Sequence, residues 1–147
     1  MQPGATDLIL LMLSFIGIAV GMASSGIALS ISMSAYAACD ADRRGAAFIP
    51  AVMAGSQGLY AFAIAFLMIQ ALPGAWESPA GLFKVTAAGA LCGIPCFLSS
   101  IGQARTAAAC IKSINQGTMD TGQALLAAGV PELYALVGLA GGYLVMA

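Results

Sequence analysis

One carboxylate, Glu132, stands inside the apolar run "GVPELYALVG" (Gly129–Gly138), and no other acidic or basic side chain lies between Thr121 and Ala147. A charge at the centre of a bilayer costs on the order of 3 kcal/mol on insertion scales, so an intramembrane carboxylate marks a functional site by default. It is neutralised either by a proton or by a bound cation. Oxygen-bearing side chains stand where they can share that task. Met53, Ser56, Gln57 and Tyr60 follow at i, i+3, i+4 and i+7, one face of a helix. Gln103 and Glu132 lie about equally far from the turn around Gly117 and Thr118, which places them at equal depth in an antiparallel hairpin. Two amides, a hydroxyl and a carboxylate are thus expected to meet. A hard monovalent cation such as Na⁺ favours several oxygen ligands, and Glu132, Gln57, Gln103 and Ser56 each offer one. H⁺ needs only the carboxylate and one partner. The extra oxygens favour Na⁺, with H⁺ the alternative. Read alone, each glutamine could instead be interhelical glue, the lesser reading.

The elements that must position these residues follow from composition. The chain has 147 residues, 61% hydrophobic and only 7% charged, with a net charge of −1. A soluble domain carries about 25% charged residues, so the expected solvent is lipid. No charge interrupts Leu8–Cys39, Gly45–Trp76 or Val85–Ala104, each at or above the roughly 20 residues that span a bilayer. The reading is an all-α membrane protein forming one membrane domain over residues 1–147. Its four transmembrane helices are placed near Asp7–Tyr36, Ala46–Leu72, Gly81–Cys110 and Thr121–Met146. The amino-terminal "MQPGATD" has no basic residue and no signal-peptide pattern, so the first span is expected to stay. There is no basic patch for nucleic acid and no GxxxxGK[ST] phosphate loop for ATP chemistry.

Arg43 and Arg44 fall in the first loop and Arg105 and Lys112 beside the third, whereas Lys84 alone is near the second. The positive-inside bias then puts loops one and three in the cytoplasm and both termini on the opposite side. Cys39, Cys92, Cys96 and Cys110 read as small buried apolar side chains. With no histidine and no CxxC pair, a zinc site is not expected.

The four helices form two copies of one hairpin. "AGSQGLYA" (Ala54–Ala61) aligns without a gap on "AGVPELYA" (Ala128–Ala135), and the same offset pairs Ser25 and Ile27 with Ser99 and Ile101. Repeat one covers approximately 7–72 and repeat two approximately 81–146. Both run the same way, unlike the inverted repeats of many transporters. Where the second copy has Pro131–Glu132, the first has Gln57–Gly58. Pro131 has no N–H, so the Ala127 carbonyl loses its helical partner and the helix can kink beside Glu132; prolines are also simply tolerated in membrane helices. Gly17/Gly21, Gly89/Gly93 and Gly138/Gly142 have GxxxG spacing, which allows close backbone approach. That suits ordinary packing and a tightly wound ring of hairpins equally. Ser24, Ser25, Ser30, Ser32 and Ser34 are expected to bond back to carbonyls of their own helix. Tyr134 is expected to pack, and Tyr60 to pack or to hydrogen-bond Glu132.

The segments "SQGLYAFAIAFLM" (Ser56–Met68), "SSIGQARTAAA" (Ser99–Ala109) and "PELYALVGL" (Pro131–Leu139), with the four spans and the lone carboxylate in the fourth, resemble the membrane rotor proteolipid of V-type ATPases, the K or c subunit in its duplicated four-helix form. The resemblance implies a homo-oligomeric ring in the membrane that turns against a stator subunit bearing an essential arginine. It also implies central-stalk subunits at the cytoplasmic loops. The ATP-hydrolysing activity would belong to other chains of the complex. For Na⁺-transporting members it implies a site made of Glu132, Gln57, Gln103, the Ser56 hydroxyl in place of a threonine, and the Met53 backbone carbonyl, with Tyr60 bracing the glutamate. Pro131 departs from close members. The rivals are the same rotor carrying H⁺, a small four-helix cation/proton antiporter, and a purely structural proteolipid.

Overall fold

The computed structural model describes residues 4–147, so Met1–Pro3 of the amino-terminal stretch without basic residues lie outside the described residues. Five helices follow in order: α1 (Ala5–Ala37), α2 (Arg44–Met53), α3 (Ser56–Ala75), α4 (Pro79–Asn115) and α5 (Thr121–Met146). Four segments are long and apolar enough to cross a bilayer: α1, α2 with α3, α4, and α5. The protein is an all-helical, multi-pass membrane protein. The outward faces carry what lipid requires. Leu59, Phe62, Phe66 and Ile69 on α3 and Leu126, Val130, Leu133, Val137 and Leu144 on α5 are all exposed.

Local chemistry sets the ends. Asp7 accepts from the Gly4 N–H at 3.0 Å, Ser78 Oγ from the Gly81 N–H at 3.0 Å, and Asp120 Oδ1 from the Gln123 N–H at 2.9 Å. Each satisfies a donor that a helix start leaves orphaned. The fourth span begins and ends as expected from the sequence. The third does not. Nothing between Cys110 and Asn115 breaks a helix, so α4 runs five residues further and stops at Gly117, whose φ of +72° only glycine adopts freely. Arg105 and Lys112 are therefore residues of α4, and the third loop holds neither.

The second span differs more. Its uncharged run predicts one helix, yet it breaks at Ala54–Gly55. Pro50 precedes the break, and Gly55 and Gly58 surround it, a local concentration of weak helix formers. The α5 helix, by contrast, continues through Pro131, where the sequence allows a kink.

Helix α4 lies at the centre, packed against α1, α3 and α5. The small residues permit this. A Cβ on Gly93 would stand 2.7 Å from the Gly17 carbonyl carbon, and one on Gly138 would stand 2.8 Å from the Leu91 carbonyl oxygen. Backbones therefore touch directly where α1 and α5 cross α4, the close approach that small residues allow in lipid. All four cysteines are buried and free, and Cys92 and Cys96 stand Sγ to Sγ at 3.7 Å on one face of α4.

Candidate functional site

Glu132 is half-buried on α5 and faces α3 and α4. The Tyr60 hydroxyl on α3 donates to Glu132 Oε1 at 2.5 Å. Gln103 on α4 donates from Nε2 to Glu132 Oε2 at 3.4 Å and to the Ala128 carbonyl at 2.9 Å. Gln57 on α3 donates from Nε2 to Gln103 Oε1. The four side chains thus form one chain of hydrogen bonds, Gln57 to Gln103 to Glu132, met from the other side by Tyr60. Both glutamines are fully buried. They sit together because α3, α4 and α5 converge there, and because the equal distances of Gln103 and Glu132 from the α4–α5 turn do put them at one level.

Gln57 Oε1 has no partner and is buried. A buried polar atom without a hydrogen bond costs roughly 1–3 kcal/mol, and native structures seldom carry one without a reason. Glu132 likewise has no basic partner. Among the described residues the one ion pair is Asp42–Arg43, at 3.5 Å on the surface.

Ser56 and Met53 are placed by the break between α2 and α3. The Ser56 hydroxyl donates to the Met53 carbonyl at 3.0 Å and makes no bond to Glu132. The break exposes carbonyls that side chains then engage. Ser25, on α1, donates to the Gly55 carbonyl at 2.7 Å and accepts from the Gly58 N–H at 2.9 Å. This corrects the expectation that Ser25 bonds to a carbonyl of its own helix. Ser24 and Ser34 do bond back, to Gly21 and Ser30, and Ser32 divides its hydroxyl between Leu29 and the Ala51 carbonyl of α2.

Tyr134, expected to pack, is exposed in the single chain. Its side chain is 70% exposed and, with Leu91, Pro95, Ser99 and Pro131, lines an apolar groove of ≈ 620 Å³ between α4 and α5. Two contributors carry little signal in the sequence. One is the Ala128 carbonyl, which anchors Gln103. The other is Ser25, whose only signals are its pairing with Ser99 in the repeat and the glycines around residues 55–58.

Among the described residues no three His, Cys, Asp or Glu side chains converge on a point. The cluster is one carboxylate with neutral oxygens. One negative charge among amide, hydroxyl and carbonyl oxygens is matched in charge by one proton or one monovalent cation. A divalent ion would remain under-neutralised.

Residues 86–145, most of α4 and nearly all of α5, match the model of the family described as the ATP synthase C subunit. The matched stretch contains Gln103, Pro131, Glu132 and Tyr134. No curated protein matches the chain.

Proposed function

We propose that this chain is the ion-carrying rotor-ring subunit of a V-type rotary ATPase and that it moves Na⁺ by binding and release at Glu132. The family match of its second hairpin supports the rotor reading. The observation that carries the ion assignment is the buried, unpartnered Gln57 Oε1 beside the Gln103–Glu132–Tyr60 network. A proton on Glu132 would leave that oxygen unsatisfied. A cation between Gln57 and Glu132 gives it a partner. In this reading Gln57, Gln103 and Glu132 supply side-chain oxygens, with Gln103 turning its amide. Ser56 and the Met53 carbonyl complete the shell from the helix break, and Tyr60 holds the carboxylate.

The cycle follows from charge. Ionised and empty, Glu132 is too costly to face lipid; with the cation bound it is neutral and can. An ion entering from one side at the stator neutralises Glu132, and the neutral site turns through the bilayer. A stator arginine then displaces the ion toward the other side. The membrane potential contributes about 2.3 kcal/mol per charge per 100 mV. Because one site serves four helices, each turn moves fewer ions against a steeper gradient, which suits a pump. Partners in this reading are further copies of the chain, the stator subunit and central-stalk subunits at the cytoplasmic loops, taken as loops one and three.

H⁺ is the second reading, favoured by one specific observation. The Tyr60 oxygen stands 2.5 Å from Glu132 Oε1, so a protonated carboxyl would find there the one acceptor it needs, without further oxygens.

The test is carbodiimide modification of Glu132 in the isolated oligomer, across pH, with and without Na⁺. Carbodiimide attacks the protonated carboxyl. Protection by millimolar Na⁺ at fixed pH, absent with K⁺, is the expected result. Labelling that follows pH alone would refute the Na⁺ assignment and leave a proton rotor.

A further inference from the structure

We infer that Ser25 on α1 is a positioning residue for the Glu132 site: its hydroxyl holds open the break between α2 and α3, which sets where Gln57 and the Met53 carbonyl lie. The inference rests on the ion-carrying reading of Glu132.

Ser25 is buried, and its two hydrogen bonds bracket the residues concerned. It accepts from the N–H of Gly58, immediately after Gln57, and donates to the carbonyl of Gly55, immediately before Ser56. In a regular helix the Gly58 N–H would bond to the Ala54 carbonyl. One hydroxyl from another helix therefore replaces the intrahelical partners on both sides of Ser56–Gln57. The approach needs Gly58. A Cβ there would stand 3.1 Å from Ser25 Oγ and 3.2 Å from Ser25 Cβ. Ser32 anchors the other side of the break, donating to the Ala51 carbonyl at 2.6 Å.

The internal repeat supplies the control. Ser99 is the counterpart of Ser25, and Glu132 is the counterpart of Gly58. Ser99 Oγ is buried with no partner, and α5 runs unbroken past it. A serine that merely packed the hairpin would behave alike in both copies. The clamp forms only in the copy that delivers Gln57. Without the hydroxyl, the Gly58 N–H and Gly55 carbonyl must be satisfied otherwise. The nearest remedy is to close the helix through residues 54–58. That turns Gln57 away from Gln103 and takes the Met53 carbonyl into the helical ladder.

The experiment measures the Na⁺ concentration that half-protects Glu132 from carbodiimide in the assembled oligomer, for wild type, Ser25→Ala, Ser25→Thr and Gly58→Ala. Ser25→Ala, which removes both bonds to the neutral backbone, is expected to raise it about tenfold, the upper end of the net effect of one neutral hydrogen bond. Ser25→Thr, which keeps the hydroxyl, is expected to restore most of it. Gly58→Ala keeps the hydroxyl but crowds it, and should shift protection in the same direction. Wild-type protection in Ser25→Ala would overturn the inference. If Ser25→Ala does not assemble, Gly58→Ala decides in the same way. If wild type itself ignores Na⁺, the sodium reading fails, and the clamp is then judged by the pH midpoint of labelling. A shifted midpoint in Ser25→Ala would support it, and an unmoved one would overturn it.

Discussion

Tyr60 and Glu132, 72 residues apart in the chain, are joined phenol to carboxylate at 2.5 Å. The bond ties the first hairpin to the second at the one place where the chain carries a charge in its fourth span. It also fixes one carboxylate oxygen and leaves the other to Gln103. Tyr60→Phe removes only the hydroxyl. A hydrogen bond to a charged group contributes about 1.5–3 kcal/mol, so ion affinity should fall roughly ten- to hundredfold with the oligomer intact. The midpoint of Na⁺ protection against carbodiimide reads this directly; an unchanged midpoint would remove Tyr60 from the site.

Glu132→Gln should abolish carbodiimide labelling and ion transport by the assembled complex while leaving the helices and oligomer in place. The amide keeps the size of the side chain and one acceptor, but it carries no charge for an ion to neutralise. Transport that survives in the reconstituted complex would mean that the carrier is elsewhere.

Gln57→Leu separates the two cargoes. It removes the buried, unpartnered oxygen and keeps Gln103, Tyr60 and Glu132. Na⁺ protection should disappear while pH-dependent labelling persists. If Na⁺ protects the variant as well as wild type, Gln57 is helix glue.

The GxxxG pairs are not equivalent. Gly93→Ala would drive its Cβ to within 2.7 Å of the Gly17 backbone, whereas a Cβ at Gly17 meets nothing within 4 Å. Overpacking of this kind costs typically about 1–3 kcal/mol. Thermal unfolding in a detergent that keeps the chain monomeric should show a lowered midpoint for Gly93→Ala and little change for Gly17→Ala.

The groove beside Tyr134 bears on assembly. A ring would cover it with the first hairpin of the next copy, because within this chain the second hairpin covers the equivalent face of the first, where Tyr60, the counterpart of Tyr134, meets Glu132. A cysteine introduced by Tyr134→Cys should therefore react with maleimide in the dissociated chain and resist it in the oligomer. Equal reactivity in both would place the neighbouring copy on another face.

The spanning segments and the cluster of Gln57, Tyr60, Gln103 and Glu132 could be read from the amino acids because both depend on periodicity and scarcity. Long uncharged runs dictate spanning helices, and α5 begins where its Asp120 cap requires. Glu132 is conspicuous as a lone charge. The face shared by Ser56, Gln57 and Tyr60 and the matched depth of Gln103 and Glu132 follow from helix geometry alone. The five further residues of α4 were legible in principle, since no glycine or proline lies between Cys110 and Gly117. What only the tertiary structure decided is where backbone polar groups find partners outside their own helix. At the interruption of the second span, Ala54–Gly55, the Gly55 carbonyl and the Gly58 N–H find their partner in Ser25 of α1, whereas α5 runs intact through Pro131. Hydrophobic patterning carries no record of such a bond. In lipid, a backbone group freed from its helix must find a partner on a neighbouring one, and which neighbour comes close enough is a property of the packed bundle.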